Sequence, residues 1–328
     1  MKIEIRPEWL LRQQNGGAVS LPSLLRLLTE VRDLGSISRA AAAADMSYRH
    51  AWGLLREFDE QFGAALVLKV RGQGTLLSPL AERLIWADRR IAARLSPFLD
   101  SLASELEQEL AAVLANKIHA LRVTASHGFA VAALIAQLQA KEVAVDLKYR
   151  SSTEAVAALS RGECDLAGFH VPVGEFRQPA ALQYMKWLNS KQHTLIHLAY
   201  RTQGLFVAKG NPRRIAGLPD LARKDIRFVN RQAGSGTRML LELLLAKHKI
   251  KIADITGYES TEFTHAAVAA YVASGMADTG FGVEAAARRF DLDFIPIMRE
   301  QYFLACDRKV MHEPAVESAL DIMLSAEF

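Results

Sequence analysis

The segment that most constrains the fold is GSISRAAAAADMSYRHAWGLL, residues 35–55, which has the pattern of two short helices joined by a tight turn. Ser36 predicts the N-cap of the first helix, and Ser47 predicts the N-cap of a second helix that runs to about Phe62. The turn between them falls on residues 45–46. Because the first helix is almost entirely alanine on its packing side, a second helix can approach it closely.

The second helix begins with polar, cationic and aromatic residues at its exposed N-terminal end. Helix-turn-helix proteins read DNA with this part of the molecule, because the first turns of the second helix meet base edges in the major groove. An ordinary helical hairpin on a protein surface is the alternative. Trp52 is expected to be partly buried, and Arg49 is the first candidate for a base or phosphate contact. The candidate DNA-binding residues are Ser36, Ser38, Ser47, Tyr48, Arg49, His50, Trp52 and Arg71.

A basic hairpin is predicted directly after this motif. Residues 66–70 resemble a strand, residues 75–77 do so less clearly, and the tip between them is Arg71-Gly-Gln-Gly. Two glycines and an arginine at a hairpin tip suit a wing that contacts phosphates or a minor groove.

A long helix over residues 79–114 follows, with Pro79 in its first turn. Its apolar residues step by three, four or seven, as in a dimer interface, although packing against its own domain is the alternative. Pro97 is expected to kink or divide the helix. The seam consists of Leu80, Leu84, Ile91, Leu95, Leu99, Leu102, Leu106 and Leu110.

The run from GSIS to SPLAERLI resembles the winged-helix DNA-binding domain of the molybdate-responsive ModE regulators, with LysR-type regulators as more distant relatives. The resemblance covers residues 20–112 and includes the GSIS start, the alanine-rich helix, the SYRHAW segment and the glycine-bearing wing. Ala81 departs from the glycine that relatives often carry there. The resemblance implies a regulator that binds double-stranded operator DNA as a homodimer or homotetramer.

Composition and charge agree with such a protein. The chain has 328 residues and a net charge of +4, and residues 1–98 hold 14 lysines and arginines against 10 acidic residues, so the excess lies there. A positive excess favours attraction to phosphates. Cys164 and Cys306 are expected to be buried free thiols. We expect a cytoplasmic protein without a signal peptide, a transmembrane helix or a bound cofactor.

From Leu121 the pattern changes to alternating strands and helices, which predicts a parallel, doubly wound sheet. Strands are expected at 121–125, 143–149, 164–169, 194–200, 203–209, 226–230, 278–281, 293–297 and 302–306. The predicted fold is α/β overall: an N-terminal winged helix-turn-helix (1–78), a long dimerisation helix (79–119), and a two-lobed α/β periplasmic-binding-protein-like domain (120–328).

The loop from Arg231 to Arg238, RQAGSGTR, predicts an anion site. It follows a strand and opens a helix, so free backbone N–H groups at the positive end of the helix dipole point outward. The hydroxyls of Ser235 and Thr237 add donors, and the two arginines add charge. The spacing is not that of a Walker A loop. A capped helix start with a glycine turn is the alternative.

Similar loops follow the earlier strands, and in open α/β sheets the carboxyl ends of strands are where ligands bind. A structural role as a strand end or a helix cap is the alternative for the histidines and threonines among them. The candidate ligand-binding residues are Ser126, His127, Ser151, Ser152, Thr153, His170, Arg231, Ser235, Gly236, Thr237, Arg238 and Thr264.

The segments GECDLAGFH, FVNRQAGSGTRMLLELLL and GYESTEFTHAAVAAYVASGMADTGFG resemble a type 2 periplasmic-binding-protein fold of the kind found beside molybdopterin-biosynthesis and ModE-type modules. The resemblance covers about residues 120–310. It implies a cleft that binds small oxyanions such as molybdate and tungstate through hydroxyls and backbone N–H groups. The arginines would also suit formate, another small carboxylate or a phosphate-bearing molybdopterin precursor.

Together these features predict a one-component transcription regulator whose DNA binding responds to a small anionic effector. The alternative is a protein that binds an anion or a molybdopterin precursor and whose N-terminal domain only dimerises. An enzyme is disfavoured, because the sequence has no nucleophile elbow, metal-ligand spacing or paired carboxylates in the cleft loops. If the protein were an enzyme, Ser126, His127 and His170 would be the candidates for its nucleophile and base.

Overall fold

The computed structural model describes residues 2–12, 18–72, 74–113 and 120–325. The chain divides into a first unit, Arg6–Ala92, and a second unit, Ala93–Phe328 together with Met1–Ile5. Within the described ranges, no helix combines the length and the apolar character that crossing a bilayer requires. Residues 114–119, the end of the predicted dimerisation helix, lie outside the described residues.

In its described residues, the first unit contains a short antiparallel pair, three helices, a hairpin and the beginning of a fourth helix. Its core consists of leucines from the first helix together with Leu55 and Phe58, all fully buried. Burial of each such side chain contributes roughly 2 kcal/mol. Its elements are β1 Leu10–Arg12, β2 Ala18–Ser20, α1 Pro22–Leu34, α2 Ile37–Ala43, α3 Tyr48–Phe62, β3 Val67–Val70 and β4 Gly74–Leu77.

The hairpin of β3 and β4 is fastened to the turn between α1 and α2. The Thr75 N–H donates to the Gly35 carbonyl at 3.0 Å. Gly74 has φ +83°, and a Cβ there would lie 2.5 Å from the Gly35 carbonyl oxygen. Only glycine therefore permits this close approach.

Helix α4, Pro79–Val113, runs through Pro97 without a break. Pro97 therefore does not divide the helix, and a kink at this residue stays a prediction. The Ala93 carbonyl has no donor within the helix, because residue 97 is a proline and lacks an N–H. The Thr264 hydroxyl donates to this carbonyl instead, so the carbonyl keeps a hydrogen bond.

The second unit is built on an eight-stranded sheet of order β10-β9-β11-β8-β12-β7-β5-β6. Strands β5, β6 and β7 are parallel, as are β9, β10 and β11. The strands are β5 Leu121–Ala125, β6 Val145–Tyr149, β7 Leu166–Pro172, β8 His193–Val207, β9 Phe228–Arg231, β10 Thr261–Glu262, β11 Thr279–Val283 and β12 Asp293–Asp307.

Two long antiparallel strands, β8 and β12, join the two halves of this sheet. One end of β12 pairs with β7, and the far end of β8 pairs with β11. We call the half around β5, β6 and β7 lobe 1 and the half around β9, β10 and β11 lobe 2. The helices are α5 Phe129–Ala140, α6 Ser152–Ser160, α7 Arg177–Leu182, α8 Gly236–Lys247, α9 His265–Ala273, α10 Glu284–Arg289 and α11 Pro314–Leu324.

Each lobe has its own core. Leu121, Val123 and Leu134 are buried in lobe 1, and Leu240 and Phe281 are buried in lobe 2. The winged helix-turn-helix followed by a two-lobed α/β domain confirms the predicted fold class. Cys164 and Cys306 are buried free thiols, as expected.

The structure corrects three strand predictions. The pairs 194–200 with 203–209 and 293–297 with 302–306 each form one continuous strand. The third strand continues beyond His170 to Pro172, because β12 pairs with it there. The polar residues that interrupt these hydrophobic runs bond to one another inside the sheet, with Arg201 Nε 2.7 Å from Glu300 Oε2.

Candidate functional site

A polar cleft lies between lobe 1 and lobe 2, where the loops after β5, β6 and β9 converge. It encloses about 30 Å³, which is on the order of two water positions. Nine of the twelve predicted ligand-binding residues line it. The lining residues are Ser126, His127, Tyr149, Arg150, Ser151, Ser152, His170, Arg231, Gln232, Ser235, Gly236, Thr237, Phe263 and His265.

Helices from both lobes begin at this cleft, and each is capped by a hydroxyl. Ser151 accepts from the Glu154 N–H at 3.3 Å in a capping box that opens α6. Ser235 accepts from the Arg238 N–H at 3.2 Å and opens α8. The positive ends of the two helix dipoles therefore meet at the cleft, which favours a negatively charged occupant.

Arg231 is the more deeply buried of the two arginines that line the cleft, the other being the exposed Arg150. Among the described residues no carboxylate lies within ion-pair distance of its guanidinium, and its buried Nε has no hydrogen-bond partner. Burial, followed by repulsion from Arg201, lowers the pKa of Arg231 to about 9, against the attraction of Glu300. The cleft lining contains no aspartate or glutamate. The positive charge of Arg231 is therefore available to an anion.

His170 lies in the floor of the cleft and is only 4% exposed. Its Nδ1 is 3.4 Å from Ser126 Oγ and 3.3 Å from Ser152 Oγ, and its Nε2 has no partner. When Nδ1 accepts from these hydroxyls, Nε2 carries the proton and is a donor. Burial, with repulsion from Arg201 and Arg231, holds the pKa of His170 well below its usual value, so the ring is neutral at pH 7.

Two further histidines adjoin the cleft. His265 Nε2 is 3.5 Å from Thr237 Oγ1, and burial, followed by repulsion from Arg231, keeps its pKa well below the usual value. Burial also lowers the pKa of His127 to about 4, with Arg231 again the next cause. At neutral pH the site therefore combines two arginines, Arg150 and Arg231, with neutral histidines and hydroxyls.

The Ser126 and His170 pair lacks the third group of a nucleophilic triad. No carboxylate orients His170 Nε2, and Ser126 Oγ is also 3.1 Å from the Tyr302 hydroxyl. The geometry supports donation to a bound anion rather than activation of a nucleophile.

Three predicted residues lie outside the cleft lining. The Arg238 guanidinium contacts Glu242 at 3.1 Å and lies over the Tyr258 ring. Thr264 Oγ1 donates to the Ala93 carbonyl at 2.9 Å and caps α9. Thr153 follows Ser152 in the first turn of α6 and does not line the cleft.

Sequence reasoning missed Tyr149, Arg150, Gln232 and Phe263 as lining residues, whereas it considered His265, together with Thr264, as able to complete the cleft. His265 had a signal, since it follows a predicted helix cap. Arg150 directly follows the end of β6, and Gln232 directly follows the end of β9. The ends of strands are also where the predicted lining residues were sought. Tyr149 and Phe263 are aromatic, and nothing in their spacing distinguishes a cleft wall from a core.

Two larger cavities in the second unit carry charges that are already neutralised. One encloses about 360 Å³, and its Arg201 and Arg288 pair with Glu300 and Glu284. The other encloses about 830 Å³, and its Arg122 pairs with Asp165 at 2.5 Å. The arginines named in these two cavities are already paired with carboxylates, whereas Arg231 in the small cleft is not.

The first unit presents its own polar surface at the start of α3. Ser47 accepts from the His50 N–H at 3.1 Å, which fixes the first turn of this helix. Tyr48, Arg49 and His50 are exposed, and Arg49 has no ion pair with a described residue. Side chains in this position can reach base edges.

Trp52 is half-buried against the first unit's core, as expected. Its ring lies 6.3 Å from the Tyr48 ring, and Lys69 Nζ is 4.8 Å from its centroid. Trp52 therefore positions the start of the recognition helix next to β3. Arg71 is exposed after β3, where the wing was predicted.

The remaining predicted DNA-binding residues lie at the start of α2. Ser36 caps this helix by accepting from the Arg39 N–H at 3.5 Å, and Ser38 is exposed in its first turn. The eight predicted residues are thus divided among the starts of two helices and one hairpin tip.

Comparisons with known proteins agree with this division. Residues 135–324 match the PBP superfamily domain, and residues 22–82 match the bacterial regulatory helix-turn-helix protein of the lysR family. An uncharacterized protein, YvgK, of Bacillus subtilis is 36% identical over 181 residues, which is 55% of this chain and 58% of that protein.

A second curated relative is an uncharacterized protein encoded in the 5′ region of a 2Fe-2S ferredoxin gene of Clostridium pasteurianum. It is 37% identical over 75 residues, which is 23% of this chain and 66% of that protein. The chain therefore spans between about half and two thirds of the length of each curated relative it matches.

Among solved structures, the full-length hypochlorite-specific LysR-type regulator HypT of Salmonella typhimurium has a TM-score of 0.47 at 15% identity. That alignment covers 91% of this chain and 95% of that chain. The match to the family model, which covers more than half of the sequence, establishes that the chain belongs to the PBP superfamily and carries a lysR-family helix-turn-helix at its N-terminal end.

Proposed function

We propose that this protein is a DNA-binding transcription regulator whose two-lobed domain senses a small anion. The observation that carries the proposal is Arg231, a cation without a carboxylate partner among the described residues. The rest of the cleft lining consists of a second arginine, Arg150, and neutral groups. Leaving such a cation without a counter-charge is costly, and an anionic ligand removes the cost. The charge therefore indicates an anionic effector.

The size and donors of the cleft restrict the anion. A cavity of about 30 Å³ suits a compact ion. Donors come from His170 Nε2, from the hydroxyls of Ser235 and Thr237 and from two helix N-termini. Molybdate, tungstate and formate are the effectors we propose, in keeping with the resemblance to ModE-type proteins.

Two half-sites on DNA require two recognition helices, so the regulator is proposed to act as a homodimer or a homotetramer. Helix α4 supplies a suitable surface, since Leu95, Phe98, Leu102 and Leu106 are exposed at spacings of three and four residues. A second copy of α4 would cover this stripe.

The anion is tested by thermal unfolding with molybdate, tungstate, sulfate, phosphate and formate. An anion present at 100 times its Kd should add about 2.7 kcal/mol of stability. Arg231→Gln should abolish the shift. Arg238→Gln is the matched control, because its guanidinium is already paired with Glu242 outside the cleft. Equal shifts in both variants would exclude Arg231 as the anion's partner.

DNA binding is tested by a gel shift with the protein's own promoter region, with and without the anion that stabilises it. A regulator should shift this DNA, and the anion should change its affinity. A stabilising anion combined with no DNA binding would favour the alternative, an anion-binding protein whose first unit only dimerises.

A further inference from the structure

Helix α4 is attached to lobe 2 at the edge of the cleft. Arg94 Nε donates to Glu262 Oε2 at 2.6 Å, and the Glu262 side chain is only 1% exposed. Thr264 Oγ1 donates to the Ala93 carbonyl at 2.9 Å and accepts from the Ala267 N–H at the start of α9. These contacts flank Phe263, which lines the cleft.

The attachment through Thr264 depends on Pro97. In an α-helix the N–H of residue 97 would bond the carbonyl of residue 93, and proline has no N–H. The Ala93 carbonyl is thus left without its helical donor, and the Thr264 hydroxyl replaces it. Lobe 2 is therefore attached to the helix at the carbonyl that lacks its hydrogen bond within the helix.

One turn further along, the same helix is attached to lobe 1. Strand β6 is an edge strand, so one side of its backbone lacks a strand partner. Ser104 Oγ accepts from the Leu147 N–H at 2.8 Å and donates to the Val145 carbonyl at 3.2 Å. Ser101 Oγ accepts from the Tyr149 N–H at 3.1 Å, and Tyr149 lines the cleft.

Pro97 lies between the two sets of attachments. Ser101 Oγ also donates to the Pro97 carbonyl at 2.8 Å, so the hydroxyl that holds lobe 1 also bonds to the proline turn. A change in the spacing of the lobes must therefore either break these bonds or alter the helix at Pro97, where one backbone hydrogen bond is missing.

We infer that residues 93–104 of α4 form a bridge that ties the two lobes together across the cleft and converts their movement into bending of the helix at Pro97. The inference rests on the proposed function for its purpose, since an anion that closes the lobes would act on the bridge. The attachment of the helix to both lobes and its bending at Pro97 do not require a ligand. The bridge connects the binding site to the helix that begins at Pro79, directly after the wing.

The experiment measures lobe spacing in the full-length protein without an added anion. Spin labels are placed at Lys141→Cys in lobe 1 and Lys251→Cys in lobe 2, both exposed positions, and their distance distribution is recorded by double electron–electron resonance. The natural cysteines are buried, and labelling of the unmodified chain provides the background. A second label pair, Arg83→Cys with Glu105→Cys, reports on the bend of α4.

Thr264→Val removes the hydroxyl and retains the branched shape, and Ser101→Ala with Ser104→Ala removes the bonds to β6. Each should broaden the lobe distance distribution and shift the α4 distance. Thr264→Ser should restore both distributions. Ser96→Ala is the matched control, because its hydroxyl bonds only to Asp100 on the same helix at 3.2 Å, and it should change neither distance.

Unchanged lobe distances in the threonine and serine variants would overturn the bridge. A change in lobe distance with no change in α4 would overturn the transfer of movement to the helix. Adding tungstate separates this inference from the proposed function. If tungstate and the other anions leave every distance unchanged while the variants alter them, the bridge stands and anion sensing fails.

Discussion

A Cβ on Gly236 would lie 2.6 Å from Nε2 of His170, so the first residue of α8 and the floor of the cleft are in direct contact across the two lobes. This distance is below the closest approach that real Cβ atoms show. Lobe 2 can reach His170 only because residue 236 has no side chain. The unpartnered ring nitrogen is thereby held at the helix N-terminus that faces the cleft.

Gly236→Ala should therefore weaken anion binding. Alanine is a better helix former than glycine, so the substitution should not destabilise α8 itself. The imidazole must instead move away from the hydroxyls of Ser126 and Ser152, which would disturb the donor set. We expect at least a tenfold increase in Kd, about 1.4 kcal/mol, measured by calorimetric titration with the anion that stabilises the wild type.

The double variant Gly236→Ala with His170→Ala tests the cause. Without the imidazole the added methyl has room, so adding Gly236→Ala to His170→Ala should cost little further affinity. Additive losses would mean that the two residues act separately and that the close contact is not responsible.

Arg49→Ala should lower the affinity for operator DNA by about 1–3 kcal/mol, because Arg49 is exposed at the start of α3 without an ion pair among the described residues. Fluorescence anisotropy at fixed salt measures the change. Arg56→Ala on the same helix is the control, since Arg56 is exposed and paired with Glu60 at 3.1 Å. Equal effects of the two substitutions would remove Arg49 from the interface.

The features that could best be predicted from the sequence are those that depend only on neighbouring residues. The helix caps at Ser36 and Ser47 follow from a hydroxyl directly before a helical pattern, and each accepts a backbone N–H three residues later. Because strand ends in a parallel sheet converge, residues far apart in sequence could be placed in one cleft.

Features that depend on long-range packing could not be predicted in this way. Arg201 and Glu300 interrupt hydrophobic runs and so suggested breaks between strands, yet Arg201 and Gln203 both bond to Glu300 within two continuous strands. Arg238 belongs to the predicted anion loop, but the first turn of α8 directs its side chain toward Glu242. The role of Thr264 depends on a carbonyl 171 positions away.

Lowering the pH from 6.5 towards 4 should destabilise the second unit. Burial lowers the pKa of His127 to about 4, so the folded state resists a proton that the unfolded state accepts at about 6.5. Stability is therefore complete above the unfolded pKa and is lost as the pH falls below it. For His127 alone the loss at pH 4 should approach roughly 3 kcal/mol.

Urea unfolding across this pH range checks the expectation by comparing the wild type with His127→Asn. The asparagine variant should lose less stability on acidification, although it also loses the ring contact with Tyr149, whose centroid lies 4.9 Å away. Parallel pH curves for the two proteins would show that His127 does not carry the effect.

Phe98→Glu should convert the proposed dimer to a monomer. The Phe98 side chain is 62% exposed in a stripe with Leu95, Leu102 and Leu106, and apolar surface of this kind is expected to be covered by a partner. A carboxylate at its centre would be buried without a counter-charge in a helix pair. Analytical ultracentrifugation should detect the smaller species, and circular dichroism should remain unchanged. Asp100→Asn on the same helix provides the control, because residue 100 is exposed on nearly the opposite face from Phe98 and the substitution removes only its charge. A Phe98→Glu protein that keeps the wild-type assembly would place the dimer contact on another surface.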